Sequence, residues 1–89
     1  MKSVDEVKPV IQNIYRKNVK KKSGKISKVS IKHANVYRVV VETDDKEMLL
    51  AEIRQKFIDD YIDFNSEQAK QRIIDALSNF RPLSHIQGI

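Results

Sequence analysis

The spacing of the apolar residues changes at Ser23-Gly24, and this change constrains the fold more than any other feature of the chain. Before it, Val7, Ile11 and Ile14 follow one another at steps of three or four residues, the spacing of a helix with one buried face. After it, apolar and polar residues alternate, as in a strand with one buried face. Because glycine readily takes the left-handed conformation that closes helices, the sequence predicts a helix that ends before Ser23 and β-structure from Lys25.

The start of this first helix has two interpretations. Ser3 and Glu6 have the spacing of a capping box, in which each side chain satisfies a free backbone N–H at the helix start. Pro9 opposes this start, because beyond the first turn proline removes a hydrogen bond and clashes with the preceding turn. Either the helix is capped by Ser3 and kinks at Pro9, or it begins at Pro9 and Ser3 caps nothing.

Two alternating segments on either side of His33-Ala34-Asn35 predict a β-hairpin. The second segment, residues 36–42, is rich in β-branched residues, which favour strands. Successive side chains of a strand point to opposite faces, so the hairpin has a core face and a basic outer face. The core face comprises Val29, Ile31, Tyr37, Val39 and Val41, and the outer face comprises Lys28, Ser30, Lys32 and Arg38.

The segment after the hairpin predicts a second helix. Asp44 is a good N-cap and Glu47 follows three residues later, which indicates another capping box. The apolar residues between Leu49 and Ile62, Phe57 among them, then supply a broad buried face.

A third helix is predicted to begin at Asn65 or Ser66 and to end before Pro82, since the residue before proline avoids the α conformation. The expected fold class is therefore α+β, with one β-hairpin packed against three helices in the order α-β-β-α-α. Residues 1–82 are expected to form a single α+β domain, and residues 83–89 a flexible C-terminal tail.

The composition excludes several classes of protein. The chain is 40% hydrophobic and 33% charged and contains no cysteine, so disulfides and thiolate metal sites are unavailable. No apolar run approaches the ~20 residues that span a bilayer. The N-terminal segment also lacks the apolar core of a signal peptide. We therefore expect a cytoplasmic protein that does not bind membranes.

No group of residues predicts a catalytic, metal or cofactor site. Asp59, Asp60 and Asp63 spell DDxxD, and two such carboxylates one helical turn apart can share Mg²⁺. In prenyl-diphosphate chemistry that motif works in pairs inside a large helical cavity, whereas this chain has one copy, so a solvated acidic face is the favoured interpretation. His33 and His85 have no partner at metal-ligand spacing. We expect a binding module rather than an enzyme.

The charges are distributed unevenly along the chain. Residues 1–41 hold 11 basic and 2 acidic side chains, whereas residues 42–89 hold 6 and 10. Six of the basic residues fall within 16–25, more than the dipole at a helix end requires, and their mutual repulsion favours an anionic partner. The residues predicted to bind nucleic acid are Arg16, Lys17, Lys20, Lys21, Lys22, Lys25, Lys28, Lys32 and Arg38.

Nucleic acid bound non-specifically or by shape is the leading hypothesis for this basic segment. The alternatives are a protein-interaction module that docks an acidic partner or a second copy of the chain, and neutralisation by the acidic second half of the same molecule. The helix–strand–strand opening is similar to that of double-stranded-RNA-binding domains. These have a third strand and a basic start to the last helix, where this chain has Asp44, Asp45 and Glu47, so the sequence does not identify the family.

Overall fold

The computed structural model describes residues 2–19, 24–33 and 35–82. The fold is α+β, as predicted, but its sheet has four antiparallel strands in the order β1-β2-β3-β4 rather than the two of a single hairpin. The predicted tail, 83–89, and Lys20, Lys21 and Lys22 lie outside the described residues. The elements are α1 (Val4–Asn18), β1 (Gly24–His33), β2 (Val36–Thr43), β3 (Met48–Arg54), α2 (Gln55–Phe64), α3 (Glu67–Leu77) and β4 (Arg81–Pro82).

The predicted helix from Asp44 is wrong over its first half, because Met48–Arg54 form the strand β3. This strand pairs with residues 36–42 of β2, from Glu42 opposite Met48 to Val36 opposite Arg54. Pairing satisfies the backbone hydrogen bonds of both strands, and it places Leu49 and Ile53 on the core face. The helix begins only at Gln55.

Asp44 and Asp45 belong to the turn that joins β2 to β3 and do not cap a helix. The Lys46 N–H donates to the Thr43 carbonyl at 3.0 Å, and the Thr43 N–H donates to the Glu47 carbonyl at 2.9 Å. Lys46 has a φ of 70°, the left-handed conformation that commonly ends such a hairpin turn. The predicted capping box is therefore a tight hairpin connection.

The caps of the other two predicted helices are confirmed. The Glu6 N–H donates to the Ser3 hydroxyl at 3.2 Å, so α1 begins at Ser3 and Pro9 lies inside it. The Ala69 N–H donates to the Ser66 hydroxyl at 3.2 Å, so Ser66 rather than Asn65 caps α3. Asn65 instead closes α2 in the left-handed conformation. No helix among the described residues is long and apolar enough to cross a membrane.

All three helices contribute to one core on a single face of the sheet. Tyr37, Val39 and Val41 of β2 are fully buried there, as predicted, and the Tyr37 hydroxyl donates to the Lys2 carbonyl at 2.7 Å. A bulge at Ser27 in β1 puts Ile26 on the core face beside Val29. The core residues are Val7, Ile11, Ile14, Tyr15, Ile26, Val29, Tyr37, Val39, Val41, Leu49, Ile53, Ile58, Ile73 and Leu77.

The prediction that Ile31 is a core residue is wrong. Ile31 is opposite Tyr37 in the register, as the alternation requires, yet 46% of its surface is exposed. Because β1 lies at the end of the sheet, no neighbouring strand among the described residues covers its outer side. The opposite face of the sheet carries the outward residues of β1, β2 and β3, including Leu50, which is buried although it points away from the helices.

Candidate nucleic-acid interface

The nine residues predicted to bind nucleic acid fall into three groups. Lys20, Lys21 and Lys22 lie outside the described residues. Lys32 and Arg38 lie on the outer face of the sheet and are engaged by a carboxylate. The remaining four, which are exposed and which we call the α1–β1 edge, are Arg16, Lys17, Lys25 and Lys28.

The α1–β1 edge follows from the packing of two consecutive elements. α1 packs against β1, and the two elements are consecutive in the chain. Arg16 and Lys17 occupy the last turn of α1, where the helix dipole favours cations. In the described part of the chain, none of the four side chains of this edge has a carboxylate within ion-pair distance.

The positive charge of Lys32 and Arg38 on the outer sheet face is partly neutralised by Glu52. The sequence did not single out Glu52, because it lay in a predicted helix. Its carboxylate is 2.8 Å from the Lys32 ammonium and 3.6 Å from the Arg38 guanidinium. The hydrogen bond from Lys32, together with the charges of Lys32, Arg38 and Arg81, lowers the pKa of Glu52 against the opposing effect of burial. This face is therefore not a continuous basic surface.

Acidic residues also approach the other end of β1. Lys25 is opposite Glu42 in the register, and the Glu42 carboxylate is 3.9 Å from the Lys46 ammonium. Asp44 and Glu47 are exposed in the adjoining turn. The α1–β1 edge thus borders carboxylates at its β2 side, while its solvent side is formed by α1 and the free edge of β1.

The DDxxD carboxylates do not form a common site. Asp63 is 2.8 Å from the Lys2 ammonium, an interaction that raises the pKa of Lys2. Asp59 instead accepts a hydrogen bond from the Gln55 amide at 3.2 Å. Across residues 2–19, 24–33 and 35–82, no group of three or more His, Cys, Asp or Glu residues can hold a metal ion.

Two adjoining open grooves lie on either side of Phe57, at the start of α2. Their volumes are about 600 Å³ and about 490 Å³. The Arg72 guanidinium lies 5.8 Å from the centre of the Phe57 ring. Sequence reasoning assigned Phe57 only to an apolar helix face. Both grooves are lined by Lys56, Phe57 and Asp60. The larger is also lined by Asn35, Arg54, Gln55 and Asp59, and the smaller by Ser66, Gln68, Ala69, Gln71 and Arg72.

Comparison with protein-family models, curated proteins and solved structures gives no match to this chain.

Proposed function

We propose that this protein is a non-enzymatic binding module that binds nucleic acid through its phosphate backbone, without reading the base sequence. The observation that carries the proposal is the α1–β1 edge, four exposed cations on adjacent elements with no carboxylate within ion-pair distance in the described residues. Cations that the protein leaves unpaired repel one another, and a polyanion relieves that repulsion while releasing its own counterions.

The spacing of these cations suits an extended anion. Lys25 and Lys28 are three residues apart on β1, which is roughly 10 Å along the strand at ~3.3 Å per residue. A ligand with regularly spaced charges can contact several points along such an edge, whereas a small anion contacts one. Lys20, Lys21 and Lys22 lie between α1 and β1 in the sequence.

The topology is compatible with this proposal. One of the two differences from double-stranded-RNA-binding domains that the sequence suggested is removed, because a third strand follows the hairpin. The other remains, because the last helix is α3 and its first turn carries the acidic residue Glu67. Over residues 4–64 the order α-β-β-β-α is similar to that of double-stranded-RNA-binding domains, whereas α3 and β4 are additional. The similar order supports nucleic-acid binding without showing the family.

The test is salt-dependent binding to generic oligonucleotides, measured by fluorescence anisotropy with duplex and single-stranded probes. Affinity should fall steeply between about 50 and 200 mM salt, as expected for several phosphate contacts. The double substitution Lys25→Gln and Lys28→Gln should reduce the salt slope by about 1.4 for a single strand, at ~0.7 per lost contact.

The matched control removes the same charge elsewhere, with Lys46→Gln and Lys70→Gln. This variant should retain the wild-type slope, because neither residue belongs to the α1–β1 edge. Absence of binding at low salt, or micromolar binding that does not respond to salt, would contradict the proposal.

An acidic protein partner is the second candidate, and the free edge of β1 favours it. Among the described residues no strand pairs with the outer side of β1, so an extended segment can add there by main-chain hydrogen bonds. Pairing of β1 with β1 of a second copy would bring lysines close to lysines, so an acidic segment is the better match. An oligoglutamate peptide that binds as tightly as an oligonucleotide of equal charge would favour this candidate.

A further inference from the structure

We propose that the grooves beside Phe57 take an unpaired base, so that the ligand of this protein is single-stranded rather than duplex nucleic acid. This inference rests on the proposed function, because it assigns to the same ligand a second point of contact. The grooves lie at the end of the sheet where β1 is followed by β2, and Lys25 lies at the opposite end of β1.

The residues that line the grooves have the chemistry of a base site. Phe57 is half-buried and presents part of its ring to both grooves, with the Arg72 guanidinium over it. Unpaired bases stack on aromatic rings and on guanidinium planes. The amides of Asn35 and Gln55 can hydrogen-bond to the edges of a stacked base from the larger groove.

The charges of the grooves fit the backbone that would carry such a base. Arg54 and Lys56 line the larger groove, and neither has an ion-pair partner among the described residues. Two carboxylates are also present, since Asp59 lines the larger groove and Asp60 lines both. They repel a free phosphate, whereas a carboxylate can accept a hydrogen bond from a base N–H. The volume of about 600 Å³ lies within the ~300–1,000 Å³ of small-ligand sites.

The fold connects this site to the α1–β1 edge. The Gln55 N–H donates to the Asn35 carbonyl at 2.8 Å, which fixes the start of α2 against the turn after β1. Lys25 and Lys28 lie on the outer face of β1, and the strand continues from them to that turn. A single strand bound at these two cations can follow the remainder of β1, a strand of ten residues and roughly 33 Å, and place a base beside Phe57.

The experiment compares two single-stranded probes of about ten nucleotides, oligothymidylate and the corresponding abasic oligomer, which has the same phosphates and no bases. Wild-type protein should bind oligothymidylate more tightly than the abasic oligomer. Phe57→Leu, which keeps an apolar side chain against the core, should weaken oligothymidylate binding by about 5- to 100-fold and leave abasic binding and the salt slope unchanged. Phe57→Tyr should retain the wild-type preference.

Phe64→Leu is the matched control, because Phe64 is on the same helix, is 78% exposed and lies outside both grooves. It should bind both probes like wild type. Equal binding of the two probes by wild type, or an unchanged preference in Phe57→Leu, would overturn the base site while leaving backbone binding intact. Failure to bind either probe or duplex at low salt would instead refute the proposed function.

If Phe57→Leu does not fold, the comparison of the two probes with wild-type protein still tests the proposal. If circular dichroism shows that Phe57→Leu is unfolded, the ring resonances of Phe57 in wild type serve as the second measurement. Oligothymidylate should shift them and the abasic oligomer should not. Unshifted Phe57 resonances at saturating oligothymidylate, or displacement of the probe by oligoglutamate at equal charge concentration, would overturn the inference.

Discussion

Replacing Glu52 by glutamine should destabilise the protein at neutral pH and have little effect in acid. One carboxylate contacts Lys32 of β1 and Arg38 of β2, so its charge links three strands of the sheet. The glutamine is isosteric but uncharged, which removes the ionic attraction and leaves the shape of the side chain nearly unchanged. The Nε atom of Arg38 is already buried without a hydrogen-bond partner in the described chain, so its guanidinium depends strongly on this carboxylate.

The size of the effect follows from the burial of the three groups. Exposed ion pairs contribute only ~0–1 kcal/mol each, whereas hydrogen bonds to charged groups contribute ~1.5–3 kcal/mol. Glu52 and Arg38 are each 27% exposed and Lys32 is 37% exposed, so solvent screens the cluster in part. We expect a loss of about 1–2 kcal/mol for the two interactions together. For a domain of this size that lowers Tm by roughly 4–15 °C.

The pH dependence gives the sign of the effect. The pKa of Glu52 in the folded protein lies below its ordinary value of 4.5. The charged carboxylate therefore stabilises the fold fully above that value, and its contribution is lost as the pH falls through the lower folded pKa. Thermal melts of wild type and Glu52→Gln should differ at pH 7 and converge once the pH falls below the folded pKa of Glu52. A difference that persists unchanged in acid would show that shape rather than charge is responsible, and would refute this account.

Two further substitutions test the sheet. Val39→Asp should unfold the domain, because Val39 is fully buried and an unpaired carboxylate there costs more than the ~4–13 kcal/mol of stability expected for this chain. Lys28→Asp, on the exposed outer face, should melt like wild type. Circular dichroism measures both variants, and a register shifted by one residue would reverse the two outcomes. Gly24→Ala should lower the free energy of unfolding, measured in urea, by about 1–3 kcal/mol. Gly24 has a φ of 152°, and a Cβ there would lie 2.8 Å from the Glu42 carbonyl oxygen. An unchanged urea midpoint would contradict the pairing of Gly24 with Thr43.

The sequence predicts those elements whose apolar residues match either the helix period or the strand period. It misses β3, whose apolar residues match both. Tyr37, Val39 and Val41 alternate with polar or half-buried neighbours, so the face of β2 could be predicted. In β3, Leu49 faces the core and Leu50 the opposite side, yet both are buried. A strand buried on both faces has a continuous apolar run, and such a run also matches a helix.

The turn before β3 offers no sequence signal that would have corrected this. Asp44 is favoured both at a helix start and in a turn, because its short side chain hydrogen-bonds to nearby backbone in either case. The left-handed position that defines the turn is occupied by Lys46 rather than by glycine or asparagine. The third strand could therefore be recognised only from its pairing with β2, which is a long-range interaction.

Because β3 was predicted as a helix, only part of the candidate site could be predicted from the sequence. The alternation in β1 and β2 indicates that Lys32 and Arg38 share the outer face, and the structure agrees. Their partner Glu52 comes from β3, so its proximity depends on the element that was missed. The face that Lys32 and Arg38 share could therefore be predicted from the sequence, whereas their pairing with a carboxylate could not.

Because Glu52 stabilises the sheet by holding two cations, its removal should strengthen binding while it weakens the fold. In Glu52→Gln, Lys32 and Arg38 become available to a phosphate backbone beside the α1–β1 edge. Two added contacts should steepen the salt slope for a single strand by about 1.4, at ~0.7 per contact, and raise the affinity most at low salt. Anisotropy titrations at several salt concentrations measure this, with Glu67→Gln on the exposed start of α3 as the control of equal charge. Equal slopes for Glu52→Gln and Glu67→Gln would show that Lys32 and Arg38 lie outside the interface, which would then be confined to the α1–β1 edge.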